Sequence, residues 1–169
     1  MVKKPFFGLD PALRFGALGT VVNRGVEVSL TGRPLPGLTV VAGSVFLDPK
    51  ISGSAVQQGL IGPRPVGSVT RRSILNLDWM PAGQVRWSLD TAIESLSARV
   101  GNIANTLVAP SRATVAIGAR YRTKLGPSDV LVRAQVTNLL GEYGWLVSTS
   151  GGFTYSPGRT FLLQLGFDL

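Results

Sequence analysis

The last eleven residues decide the fold, and they read Arg159-Thr160-Phe161-Leu162-Leu163-Gln164-Leu165-Gly166-Phe167-Asp168-Leu169. Successive side chains of a β-strand point to opposite faces. One face of this stretch therefore carries Phe161, Leu163, Leu165, Phe167 and Leu169. The other face carries Thr160, Gln164, Gly166 and Asp168, with Leu162 as the exception. One apolar wall and one mostly polar wall indicate a strand that separates hydrocarbon from water.

The composition points to the same surroundings. Charged residues make up 15% of the 169 residues, whereas a typical soluble domain has about 25%. Mean hydropathy is +0.26 although the chain holds 21 glycines and 11 prolines. No stretch approaches the roughly 20 apolar residues that a membrane helix needs. Because half the residues of a membrane strand face the lumen, apolar character without long apolar runs predicts an all-β, antiparallel transmembrane barrel.

Two residue types that carry much of enzyme chemistry are missing. The chain has no cysteine, which excludes disulfides and thiol catalysis, and no histidine, the commonest general base and metal ligand. We therefore expect that the protein is not an enzyme, and we predict no catalytic residue, no cofactor-binding residue and no metal ligand.

The net charge of +8 raises the alternative of a soluble basic β-protein that binds nucleic acid. The arginines are dispersed, however, and only Lys3-Lys4 and Arg71-Arg72 are adjacent cations. No aromatic residues interleave them. Such charges are typical of solvated loops and a wet lumen, so we predict no nucleic-acid partner.

Strand-like segments recur along the chain and are separated by two kinds of connection. The predicted strands cover residues 25–32, 38–47, 71–80, 85–94, 113–122, 130–137 and 159–169. Short turns at 33–37, 81–83 and 124–128 alternate with long connections at 48–70, 101–110 and 141–157. Short turns on one side and long loops on the other are typical of outer-membrane barrels. We count about seven strands, or eight if residues 13–18 form another.

One segment has two possible interpretations. Apolar residues spaced by four and three form a helical stripe, namely Leu89, Ile93, Leu96, Val100, Ile103 and Leu107. Gly101 and two asparagines interrupt the stripe, and the start of the segment also fits a strand. The sequence leaves open whether residues 89–107 are a strand plus a loop or are partly helical.

Three blocks of sequence resemble a known family. Residues Val136-Thr137-Asn138-Leu139-Leu140-Gly141-Glu142-Tyr143 resemble the V-x-N-L-F-x-x-Y block of TonB-dependent outer-membrane receptors, with Leu140 in place of the usual Phe. Pro157-Gly158-Arg159-Thr160-Phe161 resembles their P-G-R-x-F closing strand, and Asn23-Arg24-Gly25-Val26-Glu27-Val28-Ser29, followed by Pro36-Gly37-Leu38, resembles their R-x-R-G-V-E strand and its turn. The blocks occur in the family's order.

The resemblance implies that residues 1–169 form the C-terminal part of a receptor barrel, with the plug domain and signal peptide absent. About seven strands are the last third of a barrel of 22. A stretch of 7–15 apolar residues that would mark a signal peptide is missing near the start. Because open sheet edges are costly in hydrocarbon, we expect this segment not to be competent for transport alone.

The function implied is import of a ferric siderophore or a similar nutrient across the outer membrane of a Gram-negative bacterium. The implied partners are outer-membrane lipid and, through the closing strand, the barrel-assembly machinery. The TonB complex and the ferric siderophore are expected as partners only of the full-length protein. Arg64 or Arg99 could attract an anionic chelate, but the substrate-binding residues are unknown. The alternative function is a small stand-alone barrel of eight strands with a structural role, which requires an additional strand before residue 25.

Overall fold

A computed structural model describes residues 2–9 and 12–168, and its dominant feature is an antiparallel sheet. In chain order the elements are β1 (Val2–Leu9), β2 (Phe15–Leu35), β3 (Leu38–Ser52), α1 (Ser54–Gln57), β4 (Arg71–Trp79), β5 (Trp87–Leu96), β6 (Arg99–Val100), β7 (Val108–Ala109), β8 (Arg112–Leu125), β9 (Ser128–Thr137), β10 (Trp145–Val147), β11 (Phe153–Tyr155) and β12 (Thr160–Asp168). Within these described residues the main sheet has eight strands in the order β1-β2-β3-β4-β5-β8-β9-β12. The predicted all-β antiparallel fold of seven or eight strands is confirmed.

The register aligns the apolar sides of the strands into one continuous surface. A single row across six strands consists of Leu163, Ala134, Ala119, Leu89, Trp79 and Leu38. The apolar side chains of β12 are 75% exposed at Phe161, 68% at Leu163 and 59% at Leu165. Apolar residues this exposed across a whole sheet are not part of a protein core, and hydrocarbon is the solvent that suits them. We call this surface the outer face.

The opposite surface, which we call the inner face, is polar. The row one residue away from the apolar row consists of Gln164, Arg133, Arg120 and Ser88. Leu162 lies on this face opposite Gln135, and it remains the exception to the alternation in β12. Leu169, which the sequence assigned to the apolar face, lies outside the described residues.

The sheet is open in the part of the chain that the structure describes. There β1 pairs with β2 and β12 pairs with β9, and these two strands form the edges. The strand count of eight matches the alternative of a small barrel, and β1 supplies the extra strand that this alternative requires. Closure of such a barrel requires β1 to pair with β12, and the two strands are edges instead.

Two segments differ in length from their prediction. The β2–β3 hairpin is longer than expected, since β2 begins at Phe15 and β3 continues to Ser52. Residues 13–18 therefore do not form a separate strand, and the eighth strand is β1 instead. Residues 89–107 contain most of β5, the short strand β6 and loop residues, so the helical stripe does not produce a helix. Pairing of β5 with both β4 and β8 satisfies its backbone groups and overrides the local periodicity. Among the described residues, no helix has the length and apolar character to cross a membrane.

The two ends of the sheet are different. Short connections join β2 to β3, β4 to β5 and β8 to β9 at one end, which we call the short-turn end. Gly37 in the first turn has φ of 77°, and a Cβ there would lie 1.8 Å from the Met80 carbonyl oxygen. Aromatic residues lie on the outer face near this end, at Trp79, Trp87, Tyr121 and Phe167. The ring centroids of Trp87 and Tyr121 are 4.6 Å apart, as expected for an interfacial aromatic belt.

Candidate functional site

The inner face carries an ion-pair cluster at its centre. The Oδ2 atom of Asp90 lies 3.5 Å from an Nη atom of Arg133, and its Oδ1 atom lies 3.5 Å from Nε of Arg120. Arg120 also donates a hydrogen bond to Asp78. The cluster draws on β4, β5, β8 and β9, which the register brings side by side. Charges are stable at this position because the inner face is the wet side of the sheet.

Gly118 makes room for this cluster. It lies opposite Asp90 in the β5–β8 ladder, and a Cβ at residue 118 would be 2.6 Å from Asp90 Oδ2. The carboxylate thus lies across the backbone of Gly118 and reaches the two arginines beyond it. A second inner pair, Arg72 with Glu94 at 2.8 Å, lies further from the short turns.

The three long connections pack into one layer at the other end of the sheet. This long-connection layer consists of residues 53–70, 97–111 and 138–159. Most buried side chains of the described residues belong to it or lie beneath it, namely Ile51, Ala55, Ile61, Arg99, Val100, Ala109, Asn138 and Ser156. Ile51, Ala55 and Ile61 form a small core with Leu18 and Val21 of β2. The layer therefore covers the inner face of the long β2–β3 hairpin.

Asn105 joins the first and second connections. Its Oδ1 atom accepts a hydrogen bond from the Arg64 amide at 2.8 Å, and its Nδ2 atom donates to the Arg64 carbonyl oxygen at 2.9 Å. The Gly62 amide donates to the Ile103 carbonyl oxygen at 2.8 Å beside it. Asn105 has φ of 60°, a left-handed conformation that asparagine tolerates better than most residues. The Asn105 side chain thus makes the pair of hydrogen bonds that a neighbouring strand would otherwise make with the Arg64 backbone.

Arg99 joins the second and third connections. Its guanidinium is buried and donates to the Trp145 carbonyl oxygen at 3.0 Å. Burial lowers the pKa of Arg99 from its ordinary value; the nearby charge of Arg112 lowers it further, and Glu94 acts in the opposite direction. An arginine nevertheless stays protonated at neutral pH. The structure thus places a permanent positive charge inside the layer.

Asn138 joins the third connection to the sheet. It is 6% exposed, and its Nδ2 atom donates to the carbonyl oxygens of Glu142 at 2.9 Å and Pro157 at 3.2 Å. Its Oδ1 atom accepts from the Glu142 amide at 2.9 Å. This residue directly follows β9 and holds the chain that leads into β12. The asparagine in the sequence block around residues 136–143 therefore has a clear structural role.

The two arginines singled out from the sequence lie in different surroundings. Arg64 is exposed on the layer, with its backbone held by Asn105, whereas Arg99 is inside the layer. Sequence reasoning did not identify Asn105, because a lone asparagine in a loop has no signal that names its partner. It placed the charges of the inner cluster on polar faces, but the ion pairs depend on a register between strands that one sequence does not reveal.

The comparisons with known proteins agree with this architecture. No protein-family model matches the chain. The ferrichrome receptor FcuA of Yersinia enterocolitica is 27% identical over 171 residues, an alignment that covers 99% of this chain and 22% of the receptor. The chain thus spans about a fifth of the length of that relative.

Solved structures of siderophore receptors are also similar to this chain. The crystal structure of BauA, the ferric preacinetobactin receptor of Acinetobacter baumannii, matches with a TM-score of 0.83 and 28% identity, over 99% of this chain and 26% of that one. The siderophore receptor PiuA of the same organism matches with a TM-score of 0.73 and 18% identity, over 93% of this chain and 23% of that one. At that lower identity the match concerns the fold alone.

Together these matches confirm the resemblance to TonB-dependent outer-membrane receptors of the siderophore type, and they are consistent with a C-terminal portion of the barrel. The expected location in the outer membrane of a Gram-negative bacterium is confirmed as well. The relatives are receptors and not enzymes, which agrees with the prediction made from the missing histidine and cysteine.

Proposed function

We propose that this chain forms part of the barrel wall of a TonB-dependent receptor that imports a ferric siderophore or a similar scarce nutrient. The observation that carries the proposal is a sheet with an apolar outer face, a charged inner face and an interlocked layer of connections at one end. The similarity to a ferrichrome receptor and to a ferric preacinetobactin receptor supports a ferric chelate as the ligand class.

We further propose that residues 1–169 are the C-terminal part of the barrel and are not competent for transport alone. Strands β1 and β12 are edges of the described sheet. Each backbone group left unpaired in hydrocarbon costs several kcal/mol, so these edges require further strands from the full-length receptor. The full-length receptor would also supply the plug that fills the lumen and contacts the TonB complex.

The long-connection layer is the proposed wall of the outer ligand vestibule. Three connections fixed to one another present a preorganised surface, which lowers the entropy lost when a ligand binds. Of the two arginines, Arg64 is the exposed one and the better placed to attract an anionic chelate. The outer face is the proposed lipid contact, and β12 is the proposed strand for recognition by the barrel-assembly machinery.

The test is uptake of iron-loaded siderophores by cells that carry the full-length receptor containing this segment. Radioactive iron supplied as a ferric hydroxamate such as ferrichrome, or as ferric preacinetobactin, should enter these cells and not cells without the receptor. Uptake should also stop in cells without TonB. A correctly assembled receptor that neither binds nor imports any ferric chelate tested would overturn the proposal.

A further inference from the structure

The outer face of strands β1 to β4 carries, at the end away from the short turns, a group of cations that the proposed ligand path does not use. We call this group the basic rim, and it consists of Lys3, Arg24, Lys50 and Arg71. All four residues are exposed. With Asp48 as the carboxylate among them, four positive charges and one negative charge leave a net charge of +3. Cations concentrated on a membrane-facing surface need a partner.

The alternation of side chains along β3 shows which face of the sheet carries these charges. Pro49 and Ile51 are buried on the inner face beneath the long-connection layer. Between and beside them, Asp48 and Lys50 are 59% and 68% exposed and form an ion pair of 2.9 Å. Successive residues of a strand take opposite faces, so the charged residues point away from the vestibule. They cannot touch a ligand held inside the barrel.

The register places the basic rim in three neighbouring rows. Lys3 and Lys50 both flank Val22, Arg24 lies opposite Asp48, and Arg71 lies opposite Phe46. Rows on one face are about 7 Å apart along a strand, and strands are about 4.8 Å apart. The four cations therefore lie within a patch of roughly 14 by 14 Å, a size that suits a head group with more than one phosphate.

The height of the patch matches the outer edge of the hydrocarbon. Arg71 and Trp79, which belongs to the aromatic belt, are eight positions apart in β4, a distance of about 27 Å along the strand. At a tilt of about 40° this is roughly 20 Å along the membrane normal, and the apolar band of such barrels is about 25 Å tall. Lys50 lies four residues beyond Phe46, the partner of Arg71. The basic rim thus crosses the level of the outer-leaflet head groups.

We propose that the basic rim binds a phosphorylated lipid of the outer leaflet. Phosphate oxygens accept the charge-assisted hydrogen bonds that arginine and lysine donate, while the acyl chains rest on the apolar outer face below. The apolar surface and the charges belong to one continuous face, which is the arrangement that a lipid with an anionic head requires. The inference rests on the outer-membrane location and not on the identity of the imported ligand.

The test measures how much lipopolysaccharide stays bound to the full-length receptor after extraction in mild detergent, and after reconstitution in phosphatidylcholine vesicles with or without lipopolysaccharide. Arg24→Gln combined with Lys50→Gln should lower retention by about fivefold for each cation removed. Arg86→Gln combined with Lys124→Gln removes two cations at the short-turn end and should leave retention unchanged. Asp48→Asn removes the negative charge from the basic rim and should raise the amount of lipopolysaccharide retained. This variant provides the test if the double variant fails to assemble.

Three results would overturn the inference. Equal retention by the rim variant and the wild type would show that these cations hold no lipid. Equal losses in the rim variant and the short-turn variant would show that only net charge matters. Displacement of the lipid by inorganic phosphate alone would identify a site for free anions. Siderophore uptake, measured in parallel, separates a failure here from a failure of the proposed transport function.

Discussion

The sheet and the long-connection layer are stabilised in different ways. The sheet is a ladder of main-chain hydrogen bonds with few buried residues, and among the described residues only Ser88, Gly118 and Val130 are buried in its strands away from the layer. The layer has short strands and depends on buried side chains such as Arg99, Asn138 and Ile61. The sheet therefore depends on the solvent on each of its faces, whereas the layer depends on individual contacts.

The sheet half of this comparison predicts the largest effect. Leu163→Arg places a charge in the middle of the outer face and should destabilise the assembled barrel by about 2–4 kcal/mol. Gln164→Arg places the same charge on the inner face, beside Arg133, and should be tolerated. The measurement is the fraction of full-length receptor that migrates as a folded, heat-modifiable barrel. Equal assembly of the two variants would show that the faces are assigned wrongly.

The junction between the two regions predicts the next effect. Asn138→Ala removes the partners of two carbonyl groups and one amide, and we expect the free energy of unfolding to fall by about 2 kcal/mol. Asn138→Gly, which tolerates the φ of 48° but lacks the amide, separates hydrogen bonding from backbone strain. Asn76→Ala, an exposed asparagine within β4, is the control. Urea unfolding of the assembled receptor measures all three, and identical midpoints for Asn138→Ala and Asn76→Ala would contradict the prediction.

The contrast explains how much the sequence could predict. Seven of the eight sheet strands and the facing of their charges follow from an alternation that hydrocarbon and water impose along each strand. Strand β1 was missed because Pro5 and Gly8 interrupt its pattern. The layer was assigned as unstructured connections, although it contains α1 and two short strand pairs. Its contacts join residues about 40 positions apart, such as Arg64 and Asn105, and no local pattern encodes them.

Gly118, on the inner face of the sheet, allows a prediction about the ion-pair cluster around Asp90. Gly118→Ala brings a methyl group within 2.6 Å of the Asp90 carboxylate, and we expect Asp90 to leave its arginine partners. The cost should be about 1 kcal/mol, since Asp90 can rotate toward the wet lumen. Gly43→Ala is the matched control on the same face, because its added Cβ would meet only ordinary contacts of 3.6 and 3.7 Å. The measurement is the free energy of unfolding of each variant, and equal values would show that Gly118 is not needed for the cluster.

The layer half of the comparison predicts the smallest and most local effect. Asn105→Ala should free the Arg64 amide and raise its hydrogen exchange by about tenfold, with little change in the stability of the barrel. Asn102 lies three residues away in the same connection, but its Oδ1 atom accepts from the amides of Thr106 and Leu107. Asn102→Ala should therefore raise exchange at those two amides and leave Arg64 protected. If both variants exposed Arg64 equally, the two connections would be joined by general packing, and the layer would be no more specific than the sheet.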